Sequence, residues 1–249
     1  MGKDSKIGWT NHTFNSWLGC TKVSPGCAKC YAEKQHKRMP FGNLWGPSAE
    51  RHVTSLSYWN EPPKWNREAE KAGERARVFC GSMCDVMEDR DNLSEGRREL
   101  YSLICQTPNL DWLLLTKRPE NFPRFLHPAW LEKPMPNVWL MTTVENADYV
   151  WRAGCLREVP AVVRGLSVEP LLGPLPNLRL DGIHWVIVGA ESGHGARPMD
   201  EDWVRKIRDQ CVGAGVKFFY KQKIVNGCKV ELPELDGRVW DELPETPHA

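Results

Sequence analysis

The chain predicts an α/β fold, a partial or complete βα (TIM-like) barrel of six to seven parallel strands with an irregular C-terminal cap. Two observations predict it. Short, near-continuous apolar runs recur along the chain, each followed by polar residues and then a helical stretch. That is the pattern of parallel strands covered by helices. The mean spacing of the runs is also close to the ~30 residues per unit of a βα barrel. A doubly wound open sheet is the competing architecture, but no G-x-G-x-x-G follows the first strand. At 249 residues one barrel domain accounts for the whole chain, 1–249.

The first strand is read at 13–18, and the later apolar runs at 77–82, 111–116, 137–142, 161–167, 184–189 and 216–220. Helices are expected at 28–39, ending before Pro40, and then at 65–75, 94–106, 119–126, 147–158 and 200–212. The last has Asp200 near its start and Gly213 just past its end, good capping residues at both termini. Residues 40–66 are rich in Pro, Gly, Trp and Asn with little periodicity. They read as an insertion or lid with one short strand near 53–56. The segment 222–249 carries Asn226-Gly227 and Asp236-Gly237 turn signals and reads as a hairpin and cap.

Composition narrows the function classes. Lys+Arg is 33 and Asp+Glu is 32, a net charge of +1, which argues against binding nucleic acid mainly by nonspecific phosphate neutralisation. The N-terminus is polar with no apolar signal segment, and no run reaches the ~18 apolar residues of a membrane span. A cytoplasmic protein without membrane attachment is the expectation. There the nine cysteines, an odd number, stay reduced, and a cluster of them points to metal rather than disulfide. The twelve tryptophans read first as packing residues.

Three cysteines stand together in the loop after the first strand: Cys20, Cys27 and Cys30, with six and then two residues between them and a Pro-Gly pair in the longer gap. Three thiolates hold a metal or cluster and leave one coordination position open, the arrangement of a reactive site. The bland alternative is structural zinc: Cys27-x2-Cys30 is ordinary zinc spacing, and His36 or Cys84 would complete four ligands. Cys80, Cys105, Cys155, Cys211 and Cys228 read as unpaired packing cysteines.

In a βα barrel the catalytic groups lie where strands run into their following loops. The residues after successive runs are Ser82, Cys84 and Asp85; Lys117 and Arg118; Thr143, Glu145 and Asn146; Glu169; Glu191, Ser192 and His194; and Lys221 and Gln222. The loop 189–193 (Gly-Ala-Glu-Ser-Gly) is small enough to let a ligand approach its backbone, and equally reads as a tight turn.

With these residues in view, Cys27-Ala-Lys-Cys30-Tyr31 resembles the cluster loop of radical S-adenosylmethionine enzymes. The chain more closely resembles a phage-associated family of radical-SAM-like proteins. The stretches that carry this resemblance are 7–15, 19–33, Gly81-Ser-Met-Cys-Asp85, Leu115-Thr-Lys-Arg-Pro119, 189–193 and Phe218-Phe-Tyr-Lys-Gln222. The chain departs from the wider superfamily in its first cysteine gap, six residues where three are usual. It also departs at the second strand, where Gly81-Ser-Met-Cys-Asp85 stands in place of a Gly-Gly-Glu-like sequence.

The resemblance implies a 4Fe-4S cluster on Cys20, Cys27 and Cys30, with S-adenosyl-L-methionine on the fourth iron. It implies a 5′-deoxyadenosyl radical that modifies or repairs an anionic substrate, a nucleotide or nucleic acid among the classes that fit. It also implies a flavodoxin- or ferredoxin-type electron donor. Ser82, Asp85, Thr143, Glu145, Gly189 and Glu191 are then the expected cofactor contacts, with Glu145 accepting from the ribose hydroxyls. Cys84, Lys117, Glu191 and Lys221 are the expected catalytic groups. Lys117, Arg118 and Lys221 would face the anion, and Cys84 would return a hydrogen atom. The alternative is a zinc-stabilised, non-catalytic binding protein of phage or mobile-element origin.

Overall fold

The computed structural model describes residues 2–245, and residues 246–249 of the expected cap lie outside the described residues. In chain order the strands are β1 (His12–Phe14), β2 (Trp17–Leu18), β3 (His52–Val53), β4 (Ala76–Cys80), β5 (Leu110–Thr116), β6 (Val138–Thr143), β7 (Val163–Val168), β8 (Trp185–Gly189), β9 (Lys217–Val225), β10 (Cys228–Glu231), β11 (Glu234–Leu235) and β12 (Arg238–Val239). The α-helices are α1 (Tyr31–His36), α2 (Leu56–Trp59), α3 (Glu61–Ala72), α4 (Ser94–Gln106), α5 (Phe122–Phe125), α6 (Pro128–Glu132), α7 (Trp151–Arg157) and α8 (Glu201–Ala214).

The main sheet has eight strands in the order β1-β4-β5-β6-β7-β8-β9-β10. From β1 to β9 every neighbour is parallel, and β10 is added antiparallel as a hairpin. The order runs from one free edge to the other, so the fold is an open, partial barrel. The eighth strand lies beyond the six or seven expected. Asn226-Gly227 makes its turn with φ of 51° and 78°, the left-handed pair that a two-residue hairpin requires.

Alternate residues of the parallel strands face opposite ways, and both ways are buried. Val78 and Cys80, Trp112 and Leu114, Leu140, Leu166, Val186 and Phe218 belong to the core under the helices. Phe79, Leu113, Trp139, Met141, Val163, Trp185, Ile187 and Phe219 belong with Trp9 to a second cluster on the inner face. This double burial is why the strands read as continuous apolar runs. The inner cluster is aromatic: Trp185 meets Trp9, Trp139 and Phe219 edge-on, with ring centroids 6.1, 5.9 and 6.1 Å apart. It fills the bottom of the partial barrel. The C-terminal tail seals the same end, with Tyr220 N–H bonded to Trp240 O and Trp185 Nε1 to Glu242 O.

Several boundaries differ from expectation for local reasons. The expected first strand is two, because the chain leaves the sheet at Asn15–Ser16, whose carbonyls bond Thr54 instead. Thereafter Trp17 and Leu18 pair antiparallel with β3. The expected helix 28–39 shortens to α1, since Pro25–Cys27 form a 3-10 turn of their own. The expected helix 65–75 begins earlier, at Glu61. Pro62 and Pro63, which read as loop residues, occupy its first turn, where the missing N–H costs nothing. Helix α8 runs through Gly213 and ends at Gly215, whose φ of 67° makes the left-handed cap.

Leu113 is fully buried in the inner cluster. Leu113→Ala is expected to cost about 2–5 kcal/mol of folding free energy, read as a lowered urea midpoint with an unchanged m-value.

Candidate functional site

Two residues beyond the apolar inner cluster, the same face of the strands turns polar. Leu113 leads to Leu115 and Lys117, Met141 to Thr143, Val163 through Gly165 to Ser167 and Glu169, and Phe219 to Lys221. Leu115, Lys117, Thr143, Ser167, Glu169 and Lys221 line one cavity of about 390 Å³ at the C-terminal ends of the parallel strands. Cys20, Cys27 and Cys30 line it too, as do Ser82, Cys84, Asp85 and Glu191. Eleven of the fourteen residues expected at the rim therefore share one space, and Glu145, Asn146 and His194 do not line it. Among the described residues the lining carries seven cationic side chains and four carboxylates, a surplus of positive charge.

The cysteine loop is fastened at several points. At its start Gly19 has φ of 108°, and a Cβ there would sit 2.9 Å from Arg51 Cδ, so glycine is required. Gly19 N–H bonds Met83 O at 3.0 Å, and Gly46 N–H bonds Cys20 O at 3.0 Å. Arg118 Nη2 donates to Thr21 O at 2.7 Å, and Arg51 Nη2 to Thr21 Oγ1 at 2.8 Å. In the middle, Ser24 Oγ donates to Glu145 Oε1 at 2.6 Å, and Arg197 Nη2 donates to Pro25 O at 3.0 Å. The six-residue gap between Cys20 and Cys27 is thus a held segment.

The thiols differ in surroundings. Burial pushes Cys20 up to about 12, with Asp85 adding to the rise and Arg118 opposing it. Burial also raises Cys30, opposed by the backbone N–H groups of Glu33 and Ala32 at the start of α1. Cys27 Sγ lies 3.7 Å from Ser24 Oγ. Among the described residues no three His, Cys, Asp or Glu side chains are gathered as a single-ion site. Cluster thiolates bind separate irons and need not converge on one point.

Glu145 does not line the cavity. It is fully buried beneath the loop, with Oε1 accepting from Ser24 and 3.2 Å from Lys117 Nζ, and Oε2 2.8 Å from Arg152 Nη1. A Cβ on Gly26 would come within 2.7 Å of Glu145 Cγ, so the glycine lets the loop lie directly on the carboxylate. Burial pushes the carboxyl up, but Lys117, Ser24 and Arg152 together outweigh it and hold it below the ordinary 4.5. The sequence expects a ribose contact at Glu145; here its carboxylate ties the cysteine loop to Lys117 and Arg152.

Gly189 is likewise absent from the lining. Its missing side chain makes room for Glu169, whose Oε1 would lie 2.6 Å from a Cβ at that position. Glu169 lines the cavity, paired with Lys221 Nζ at 2.8 Å and with Ser167 Oγ 3.4 Å away. Asp85 faces the cavity but takes donors from Thr116 Oγ1 (2.6 Å), Arg118 Nη1 (2.8 Å), Met87 N (3.0 Å) and Lys117 N (3.1 Å). Glu191 is chelated by Arg197 through both the backbone N–H and the guanidinium. Lys117 Nζ donates to Thr143 Oγ1 at 3.0 Å. Ser82 exchanges hydrogen bonds with Asn15, and Cys84 Sγ lies 3.8 Å from Asn15 Oδ1. His36, the fourth ligand of the zinc alternative, is buried, bonds Gly42 O at 2.7 Å and packs on Trp45.

Sequence reasoning missed Ser24, Gly26, Arg51, Glu88 and Arg197. Ser-Pro-Gly at 24–26 was the available signal for the first two. Arg51 and Glu88 stand far apart in sequence with nothing local to couple them.

The chain belongs to the family described as "Protein of unknown function (DUF5131)", which it matches over residues 4–244. No curated protein matches it. Among solved structures, a cysteine-to-serine mutant of spore photoproduct lyase is similar at 16% sequence identity and a TM-score of 0.49, over 76% of this chain. The chain spans 58% of that protein's length.

Removing the loop anchor has a predicted cost and a predicted pH signature. Glu145→Gln leaves buried Arg152 without its counter-charge and is expected to cost about 3–5 kcal/mol in urea unfolding at neutral pH. Because the folded carboxyl lies below its ordinary 4.5, its stabilisation is complete above that value and is lost as pH falls through the folded pKa. The variant should therefore show a shallower acid limb of stability than the parent. An acid limb of equal slope in the two proteins contradicts the assignment.

Proposed function

We propose that this member of the family is a radical S-adenosylmethionine enzyme. Cys20, Cys27 and Cys30 hold a 4Fe-4S cluster, and the cavity beyond them takes S-adenosylmethionine and an anionic substrate. The observation that carries the reading is that three thiols of one fastened loop line a single cavity at the C-terminal ends of seven parallel strands. That rim is where a βα fold presents reacting groups. The donor set also fits: three soft sulfurs suit iron–sulfur ligation, and a fourth position is left to a ligand. His36, the nearest candidate for closing a zinc site, has Nε2 on Gly42 O and its ring packed on Trp45, which favours the cluster over zinc.

When bound, the two groups supply radical chemistry, a hydrogen atom taken from the substrate after reductive cleavage of the sulfonium. The chain's own residues do the positioning. The inner aromatic cluster closes the bottom of the cavity against water. Ser82 and Thr143 offer hydroxyls at the cavity wall for the polar end of the cofactor, beside the Asp85 and Glu191 carboxylates. Lys117 and the Lys221–Glu169 pair present charge to the substrate, and the surplus of cations favours an anion such as a nucleotide or a strand of nucleic acid. Cys84 keeps its proton, pushed up by burial, and faces the cavity as a hydrogen-atom donor. A flavodoxin- or ferredoxin-type protein is the implied electron source.

Anaerobic reconstitution with iron and sulfide tests this. The expected product is a brown protein with about four irons per chain that bleaches on reduction and converts S-adenosylmethionine to 5′-deoxyadenosine. Cys20→Ala, Cys27→Ala and Cys30→Ala should each lose the colour and the conversion, while Cys105→Ala, at an exposed cysteine of α4, should keep both. A colourless protein with one tightly held zinc sinks the reading.

A further inference from the structure

The position of Arg118 after β5 predicts a group that faces the substrate. Its guanidinium is engaged elsewhere. Nη1 lies 3.8 Å from Cys20 Sγ in hydrogen-bonding geometry, and the same nitrogen is 2.8 Å from Asp85 Oδ2. Nη2 donates to Thr21 O at 2.7 Å and stands 3.8 Å from Glu88 Oε1. The backbone N–H of Arg118 bonds Thr116 Oγ1 at 2.9 Å. Each end of the fork is therefore tied, and the side chain is buried.

The ties are themselves secured. Arg51 grips Glu88 with two bonds, 2.9 Å from Nε and 2.7 Å from Nη2, and its Nη2 also reaches Thr21 Oγ1. Arg51 is further held by the carbonyls of Leu44 and Ala49 at 2.9 and 2.7 Å. The 40–66 segment thus acts as a clasp that fixes Glu88, which in turn stands behind Arg118. Among the described residues, Cys20 is the one loop cysteine whose sulfur lies in hydrogen-bond reach of a cation. Cys27 has a hydroxyl beside it, and Cys30 opens α1.

We propose that Arg118 is a positioning residue for the metal centre, donating from Nη1 to the Cys20 thiolate and raising the cluster's reduction potential. This inference rests on the cluster reading above. An N–H···S bond and a fixed positive charge both withdraw electron density from the sulfur and stabilise the more negative, reduced state. The low local dielectric of a buried site strengthens the effect. Asp85 and Glu88 moderate it, and they keep the guanidinium from swinging out to solvent or substrate.

The test is an EPR-monitored reduction of the reconstituted full chain in the parent, Arg118→Met and Arg118→Lys, with iron and sulfide counted and folding checked by circular dichroism on the same samples. The expected result is a midpoint potential that moves negative in Arg118→Met, with Arg118→Lys between that variant and the parent. Should Arg118→Met not fold, Arg118→Lys decides: it keeps the charge opposite Asp85 but loses the fork that reaches sulfur, and its midpoint should fall below the parent's. Variants that carry the full cluster at the parent's midpoint overturn the assignment of Arg118 alone. A parent protein that takes up no iron and sulfide overturns the cluster reading, and this inference with it.

Discussion

Glu145 lies fully out of solvent between the cysteine loop and the sheet, and its two oxygens divide between opposite neighbours. One accepts from Ser24 in the loop and meets Lys117 on the cavity wall; the other meets Arg152 of α7. A carboxylate in that position is tolerable only with those partners, because an unpaired buried charge costs several kcal/mol. The pairing therefore fixes the middle of the loop at the end of β6. Gly26 is the necessary counterpart, since any side chain there would strike the carboxylate. Where Cys27 and Cys30 stand follows from this contact.

The other half of the loop depends on a second buried charge network of the same kind. Arg51, Glu88, Arg118 and Asp85 alternate in sign and join the 40–66 clasp, the turn after β4 and the end of β5 at Cys20 and Thr21. A loop with a long first gap between cysteines has more conformational freedom to lose on binding a metal. Two networks that hold it in advance reduce that loss. The charged groups after the strands thus serve in two layers, one facing the cavity and one behind it holding the loop.

Much of this arrangement was legible in the sequence and some of it was not, for physical reasons. The parallel strands announced themselves because both faces are buried, which leaves an apolar run at each of β4 to β9. The rim was legible because residues past such a run emerge at the same end of the sheet, and Lys117, Thr143, Lys221 and Glu191 do so. Which way each side chain turns was not legible. Glu145 follows β6 as a cofactor ligand would, yet lies under the loop among Lys117, Ser24 and Arg152, partners that no local pattern announces. Gly189 read equally as a ligand approach or a tight turn, and the packing of Glu169 against it has no local signal. Pro62 and Pro63 hid the start of α3, since the same residue type marks loops and first turns alike. Arg51 and Glu88 form a pair only through the tertiary fold, and no local pattern in either segment foretells the other.

In the proposed reading, three thiols of one pre-held loop bind three irons of one cluster and leave the fourth iron to a ligand from the cavity. The Mössbauer spectrum of anaerobically reconstituted protein, taken with and without S-adenosylmethionine, tests it most directly. The expected spectrum is that of a four-iron cluster in which a single iron site, about a quarter of the signal, changes on addition of the ligand. A spectrum with no cluster, or one in which all iron sites ignore the ligand, would contradict it.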